Sequence, residues 1–219
     1  MALAPDLAQW RKEQRARLLA QRLAITPEQR HHWNKAITAH LLAGFPMLGD
    51  QIVSFYWPFK QEFDPRFALR QWRLRGTRAA LPVVLGPARP LQFREWWPGV
   101  RCLPGVYQLP QPQDTEILVP DVCLIPPLGF DARGYRLGYG GGYFDRTLAA
   151  LSPAPLKIGV AFESARMASI EPQPHDIAMD FIVTPAGIHH VGAGGLEPVD
   201  DMTQVQGLVN AILAARRPA

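Results

Sequence analysis

Apolar positions along the chain fall into short runs, and their spacing alternates between helical and extended. Residues 6–24 place Trp10, Leu18, Leu19 and Leu23 among Arg11, Lys12, Arg15 and Arg22, which predicts a helix. Thr26-Pro27-Glu28-Gln29 is a helix-start signature, with Thr26 as N-cap and Pro27 in the first turn; this second helix is expected to reach about Leu42 before Gly44 and Pro46. Gln51–Tyr56 is apolar and rich in β-formers, so it predicts a buried strand. A basic helix over Pro65–Gly76 and a parallel-type strand over Arg78–Leu85 follow. The prolines between 86 and 121 exclude long helices there and leave only a short strand at Leu91-Gln92-Phe93. Val122, Leu124 and Ile125 end a further buried strand, a helical run leads into Leu148 and Leu151, and Leu156–Phe162 and Phe181–Thr184 predict two more strands. The GAGGLEP segment (192–198) is expected as a linker to a last helix over about Met202–Ala215.

Strands alternating with helices predict an α/β fold: an open, mainly parallel sheet with helices on both faces. Ligands then gather at the carboxyl ends of the strands. The 219 residues suffice for one domain, with 191–219 as a C-terminal extension carrying a short helix. Hydrophobic content of 47% beside 19% charged residues is that of a globule and not of a disordered chain. No apolar run approaches the roughly 20 residues of a membrane span, and the N-terminal stretch lacks the pattern of a secretory signal. Cys102 and Cys123 lack CxxC spacing, so neither zinc nor a disulfide is expected, and the default compartment is a reducing cytoplasm. The net charge of +4 is scattered and meets no nucleic-acid motif. A small anionic substrate accounts for the same positive field.

The stretch with the most chemistry is LIPPLGFDARGYRLGYGGGYFDRTL, residues 124–148. Strand, glycine-rich loop and helix start form an arrangement suited to phosphate, because glycine admits close backbone approach and the first helical N–H groups point at the anion. Arg133, Arg136 and Arg146 can bind phosphate oxygens there, and Asp145 can bind an accompanying metal. No Gly-Lys-Ser/Thr closes the loop, so it is not a P-loop, and the dinucleotide pattern fits poorly. Arg11 and Arg15, four apart on one helix face, can clamp a polyphosphate, although a solvated basic face satisfies the same spacing.

FDARGYRLGYGGGYFDR resembles the signature loop of the 5-formyltetrahydrofolate cyclo-ligases, also called methenyltetrahydrofolate synthetases, whose pattern is Phe-Asp-x-x-Gly-x-Arg-Leu-Gly-x-Gly-x-Gly-Tyr-Tyr-Asp. The one departure in the loop is Phe144. The resemblance extends over about residues 8–187 and implies the ribose-phosphate-isomerase and CoA-transferase-like version of the α/β fold. It implies ATP contacts from Arg11 (with Lys12 as a neighbouring candidate), Arg15, Arg136, Leu137, Gly138, Tyr139, Gly140, Gly141, Gly142, Tyr143 and Asp145. Arg136 and Tyr143 take the catalytic positions. Glu62 matches a folate-contacting Glu, Tyr107 and Gln111 lie in a segment bordering the folate, and Phe55, Tyr56 and Trp57 are aromatic candidates for the pterin pocket, with packing at least an equal alternative for each. Asp176, in His175-Asp176-Ile177-Ala178-Met179-Asp180, pairs with Asp145 as a Mg²⁺ ligand. Ala165 stands where the family carries a Gln.

The activity so implied is the ATP- and Mg²⁺-dependent cyclisation of 5-formyltetrahydrofolate to 5,10-methenyltetrahydrofolate, with ADP and phosphate released. Expected partners are a reduced folate and ATP, without nucleic acid or membrane, and the chain is expected as a monomer or weak homo-oligomer. Two rivals remain open at this point. One is a non-catalytic folate- or nucleotide-binding relative, suggested by Phe144 and Ala165. The other is a CoA-transferase-like enzyme, weakened by the lack of a matching nucleophilic Glu.

Overall fold

The computed structural model describes residues 7–216. The expected first residue of the opening helix and the N-terminal segment through Asp6 lie outside the described residues. In chain order the elements are α1 (Leu7–Leu23), α2 (Pro27–Gly44), β1 (Ile52–Ser54), α3 (Arg66–Arg73), β2 (Arg78–Val83), β3 (Gln92–Trp96), β4 (Cys102–Pro104), β5 (Pro110–Pro112), β6 (Ile117–Leu118), β7 (Val122–Ile125), β8 (Gly129–Phe130), β9 (Arg136–Leu137), α4 (Tyr143–Ala150), β10 (Leu156–Val160), β11 (Phe181–Thr184), β12 (Gly187–Gly192), β13 (Gly195–Pro198) and α5 (Met202–Ala215).

The main sheet has the order β13-β12-β11-β10-β7-β1-β2-β3-β6. Its five central strands, β11 to β2, run parallel, and two antiparallel strands flank them on each side. The expected α/β class is therefore the observed one, with antiparallel margins. Strand alternation sorts the core into two faces. Val53, Ala79, Leu81, Val122, Leu124, Ile158, Phe181 and Val183 pack with Ile37 and Leu41 of α2, Leu69 and Trp72 of α3, and Val205 and Val209 of α5. Ala80, Cys123, Ile125 and Ile182 face the other way, against Leu148 of α4 and Phe130. Helix α1 closes a third cluster, where Leu18 meets Leu128, Leu137, Met167 and Ile170.

The capping signature works as its sequence predicts: the Gln29 N–H donates to the Thr26 hydroxyl at 3.2 Å, with Pro27 opening α2. Two expectations change. GAGGLEP is not a linker; it turns β12 into β13, and this hairpin extends the sheet from β11, with Gly195 taking φ +105° at the turn. Residues 86–121 contain four strands, β3 to β6, where one short strand is expected. Prolines sit in the β4–β5 ladder at an opposed pair, Pro104 and Pro110, in a separate two-stranded sheet, where a missing N–H is tolerated.

Candidate active site

The chain segments that follow β1, β2 and β7 leave the sheet at its carboxyl edge and enclose one cleft of about 880 Å³. One end is built by the glycine-rich loop and the start of α4. Gly140 and Gly142 adopt φ of +99° and +61°, and Gly142 is the residue from which α4 starts. No side chain caps that helix, so its first N–H groups stay available to an anion. Arg11, Arg15, Lys60, Arg136 and Arg146 all line the cleft. Arg146 carries a buried Nη1 without a hydrogen-bond partner, a donor ready for an anionic ligand.

Three of these cations have defined partners. Arg136 is buried, donates to the Ile177 carbonyl at 2.9 Å and pairs with Asp145 Oδ1 at 3.0 Å. Burial works against its charge, and Asp145 offsets part of that cost. Asp145 also accepts from the Ile177 N–H at 3.1 Å. Arg11 pairs with Asp176 at 2.6 Å, and the same carboxylate accepts from the Gln173 N–H at 2.7 Å. Burial alone would raise the Asp176 carboxyl, but the Arg11 guanidinium and the Gln173 N–H hold it below its ordinary value. Arg15 donates from Nε to the Gly138 carbonyl at 2.9 Å, tying α1 to the loop.

The other end of the cleft is aromatic and half-enclosed. Trp57 lines it under the Arg66 guanidinium, which stands 4.3 Å from the ring centroid. Phe59 and Tyr107 stack across it, with centroids 5.8 Å apart. Lys60 and Gln61 both take left-handed backbone (φ +47° and +61°), a strained turn for non-glycine residues, and it delivers Glu62 to the floor of the cleft. Glu62 accepts from the Phe59 N–H at 3.0 Å and from the Tyr139 hydroxyl at 2.9 Å, and Arg22 Nη1 lies 3.8 Å away. Burial pushes the Glu62 carboxyl up to about 7, against the pull of Arg22. The Tyr56 hydroxyl, also buried and lining the cleft, has no hydrogen-bond partner.

Most of the residues singled out in the sequence thus meet in one volume: Arg11, Arg15, Trp57, Glu62, Tyr107, Gln111, Arg136 to Tyr143, Asp145 and Asp176 all border it. Leu137 does so while sitting buried in the α1 cluster. Two candidates lie elsewhere. Phe55 is buried in the core, its ring edge-on to Trp96 at 5.1 Å, and does not line the cleft, whereas its neighbour Tyr56, buried in the same cluster, does. Lys12 is exposed on α1, one residue round the helix from Arg11, and does not line the cleft. Of the aromatic trio weighed for the pterin pocket, Tyr56 and Trp57 reach the cleft, and sequence reasoning missed Phe59, Lys60 and Arg22. The signal for Arg22 was present, since positions 11, 15, 18 and 22 share one face of α1.

The sequence model of the 5-formyltetrahydrofolate cyclo-ligase family matches residues 7–185. The chain belongs to this family. The cyclo-ligase of Escherichia coli (strain K12) is 28% identical over 175 residues, which cover 76% of this chain and 96% of the relative. That of Mycolicibacterium smegmatis is 36% identical over 118 residues, 50% of this chain and 61% of the relative. Among solved structures, the 5,10-methenyltetrahydrofolate synthetase of Aquifex aeolicus superposes with a TM-score of 0.72 at 26% identity, covering 83% of this chain and 92% of its own. The enzyme of the same name from Mycoplasma pneumoniae gives 0.67 at 26% identity, covering 80% and 98%. The cleft is therefore the active-site candidate of a cyclo-ligase family enzyme.

Proposed function

We propose that this enzyme cyclises 5-formyltetrahydrofolate to 5,10-methenyltetrahydrofolate at the expense of ATP. The observation that carries the reading is a single cleft with two unlike ends: a cationic, glycine-lined end suited to polyphosphate, and an aromatic end floored by a carboxylate, suited to a reduced pterin. The formamide oxygen of the substrate is a poor leaving group, so attack by the neighbouring amine cannot expel it. Transfer of the γ-phosphoryl group from ATP to that oxygen releases ADP and turns the oxygen into a phosphate leaving group. The amine nitrogen then bonds to the formyl carbon, phosphate departs, and the amine proton is lost to complete the five-membered ring. Arg11, Arg15, Arg136 and Arg146 would neutralise the phosphate oxygens, while the loop N–H groups hold them in place. Tyr143 lines the same end.

Asp145 and Asp176 offer hard carboxylate oxygens that fit Mg²⁺, which commonly takes one or two carboxylates and completes its shell with phosphate and water. Each has one oxygen engaged by an arginine. Among the described residues no third His, Cys, Asp or Glu gathers into a metal-holding group, so phosphate and water would have to supply the other ligands. Bound Mg²⁺ would neutralise phosphate charge.

Phe144 supports catalysis over the binding-only alternative. Its ring packs against the α4 face of the sheet and lies 5.9 Å from the Arg136 guanidinium, which supports a role through packing and a cation–π contact that a phenyl ring supplies. Free Cys102 and Cys123 fit the reducing cytoplasm that this reading assigns, and no helix among the described residues is long and apolar enough to cross a membrane; a monomer or weak homo-oligomer acting on small molecules completes the proposal. The test is incubation with 5-formyltetrahydrofolate, ATP and Mg²⁺, followed by the absorbance of the methenyl product. Turnover is expected; a protein that binds either ligand without turnover would favour the binding-only relative.

A further inference from the structure

Tyr139 belongs to the phosphate loop by chain position, between Gly138 and Gly140, yet its side chain engages the opposite end of the cleft. Its hydroxyl donates to Glu62 Oε1 at 2.9 Å and accepts from Arg22 Nη2. Its ring meets Phe59 edge-on at 6.0 Å and lies 5.8 Å below the Lys60 ammonium. Phe59, Lys60 and Glu62 are all residues of the aromatic end, 77 to 80 positions away in sequence.

Helix α1 braces both halves of this contact. Arg15 holds the Gly138 carbonyl, and Arg22, seven residues and about 10 Å further along the helix, holds the Tyr139 hydroxyl. Glu62 depends on that bracing. It hangs from a turn with two consecutive left-handed residues, and apart from the Phe59 N–H its partners are Tyr139 and Arg22. A ligand that orders the loop at Gly138–Gly140 therefore also fixes the hydroxyl that orients Glu62. We propose that Tyr139, held by Arg22, is a positioning residue that couples occupancy of the phosphate loop to the affinity of the Glu62 end, so that ATP and the reduced folate bind with positive cooperativity. This rests on the substrate reading given above. Coupling of this kind is reciprocal, so each ligand raises the affinity for the other by the same factor.

The experiment is a pair of equilibrium titrations of the full chain with 5-formyltetrahydrofolate, without and with a saturating non-hydrolysable ATP analogue and Mg²⁺. Wild type is expected to tighten at least about fivefold when the analogue is present. Tyr139→Phe keeps the ring contacts and removes only the hydroxyl; its ratio is expected to fall toward one, with both ligands still bound and the far-UV circular dichroism of the folded chain retained. Arg22→Lys leaves the loop sequence intact, shortens the reach to the hydroxyl, and is expected to lower the ratio as well. A wild type that binds both ligands with a ratio of one, or variants that keep the wild-type ratio, would overturn the coupling while leaving the substrate reading intact. Loss of analogue binding by Tyr139→Phe would assign the hydroxyl to ATP binding itself and also overturn it. A wild type that binds neither ligand would remove the substrate reading and the coupling together.

Discussion

Burial raises the Glu62 carboxyl to about 7 from its ordinary value near 4.5, and the sign of the consequence is fixed. Between those two values the unfolded chain has released the proton and the folded chain retains it, so this group's contribution to stability falls as pH rises through that window. The loss is on the order of 3 kcal/mol once pH exceeds 7. In urea unfolding, the stability of Glu62→Gln relative to wild type should rise between about pH 4.5 and 7 and level off above it. A difference that stays flat across that range would place the carboxyl at an ordinary value. Asp145 carries the second residue-scale prediction. Its Oδ1 is shared between Arg136 and the Ile177 N–H, so Asp145→Asn keeps the shape and removes the charge that offsets buried Arg136. Turnover should be abolished with the fold retained, and full activity with unchanged Mg²⁺ dependence would exclude a metal role. Phe144→Tyr should change turnover by less than about tenfold, a difference of roughly 1.4 kcal/mol in barrier, because the ring's packing is what the site uses. An inert wild type that gains turnover with the added hydroxyl would reverse that reading. Ala165 is a different departure. It packs in the core and borders a void of about 10 Å³ shared with Arg22 and Glu62, close to the volume one water needs, where the family's Gln would bring a polar group.

Among the elements, α1 spans the cleft from Asp176 through Gly138 to Tyr139 along one face. A charge-assisted hydrogen bond is worth roughly 1.5–3 kcal/mol, so Arg15→Ala should raise the KM for ATP about tenfold or more, and that for the folate much less. Equal rises for both would reduce α1 to packing. Much of this element was legible in the sequence, since the four-residue spacing of Arg11 and Arg15 puts them on one face whatever the tertiary fold. Arg22 looked like an ordinary polar position because its partners, Tyr139 and Glu62, are distant in sequence. The strand ending in Phe55-Tyr56-Trp57 shows the complementary limit. A continuous apolar run gives no sign of which side chains will border the cleft: Phe55 and Tyr56 are buried in the same cluster, yet only Tyr56 and Trp57 of the three reach the cleft. The β12–β13 hairpin was hidden by its glycines: they read as linker, yet β12 pairs back onto β11, where His190 packs on the Phe181 ring at 5.1 Å, and β13 pairs onto β12.

For the molecule as a whole, the C-terminal segment is part of the fold. Val205 and Val209 of α5 are fully buried in the main core, and Arg216 at its end holds the Pro120 and Asp121 carbonyls just before β7. Val209→Ala should cost about 1–3 kcal/mol in unfolding, a price that a loose appendage would not carry. The parallel centre of the sheet was readable from buried runs that lack alternation, whereas its antiparallel margins were not, because short proline- and glycine-bearing strands gain their pairing only from neighbours already in place. What the assembled sheet produces is one cleft with a cationic end and an aromatic end, and the central claim is that the two bind ATP and the reduced folate for one reaction. The most direct measurement follows methenyl absorbance and phosphate release in the same reaction mixture of enzyme, 5-formyltetrahydrofolate, ATP and Mg²⁺. One phosphate for each methenyl product, with neither formed when one substrate is withheld, is the predicted result; phosphate released without the folate, or methenyl formed without ATP, would contradict it.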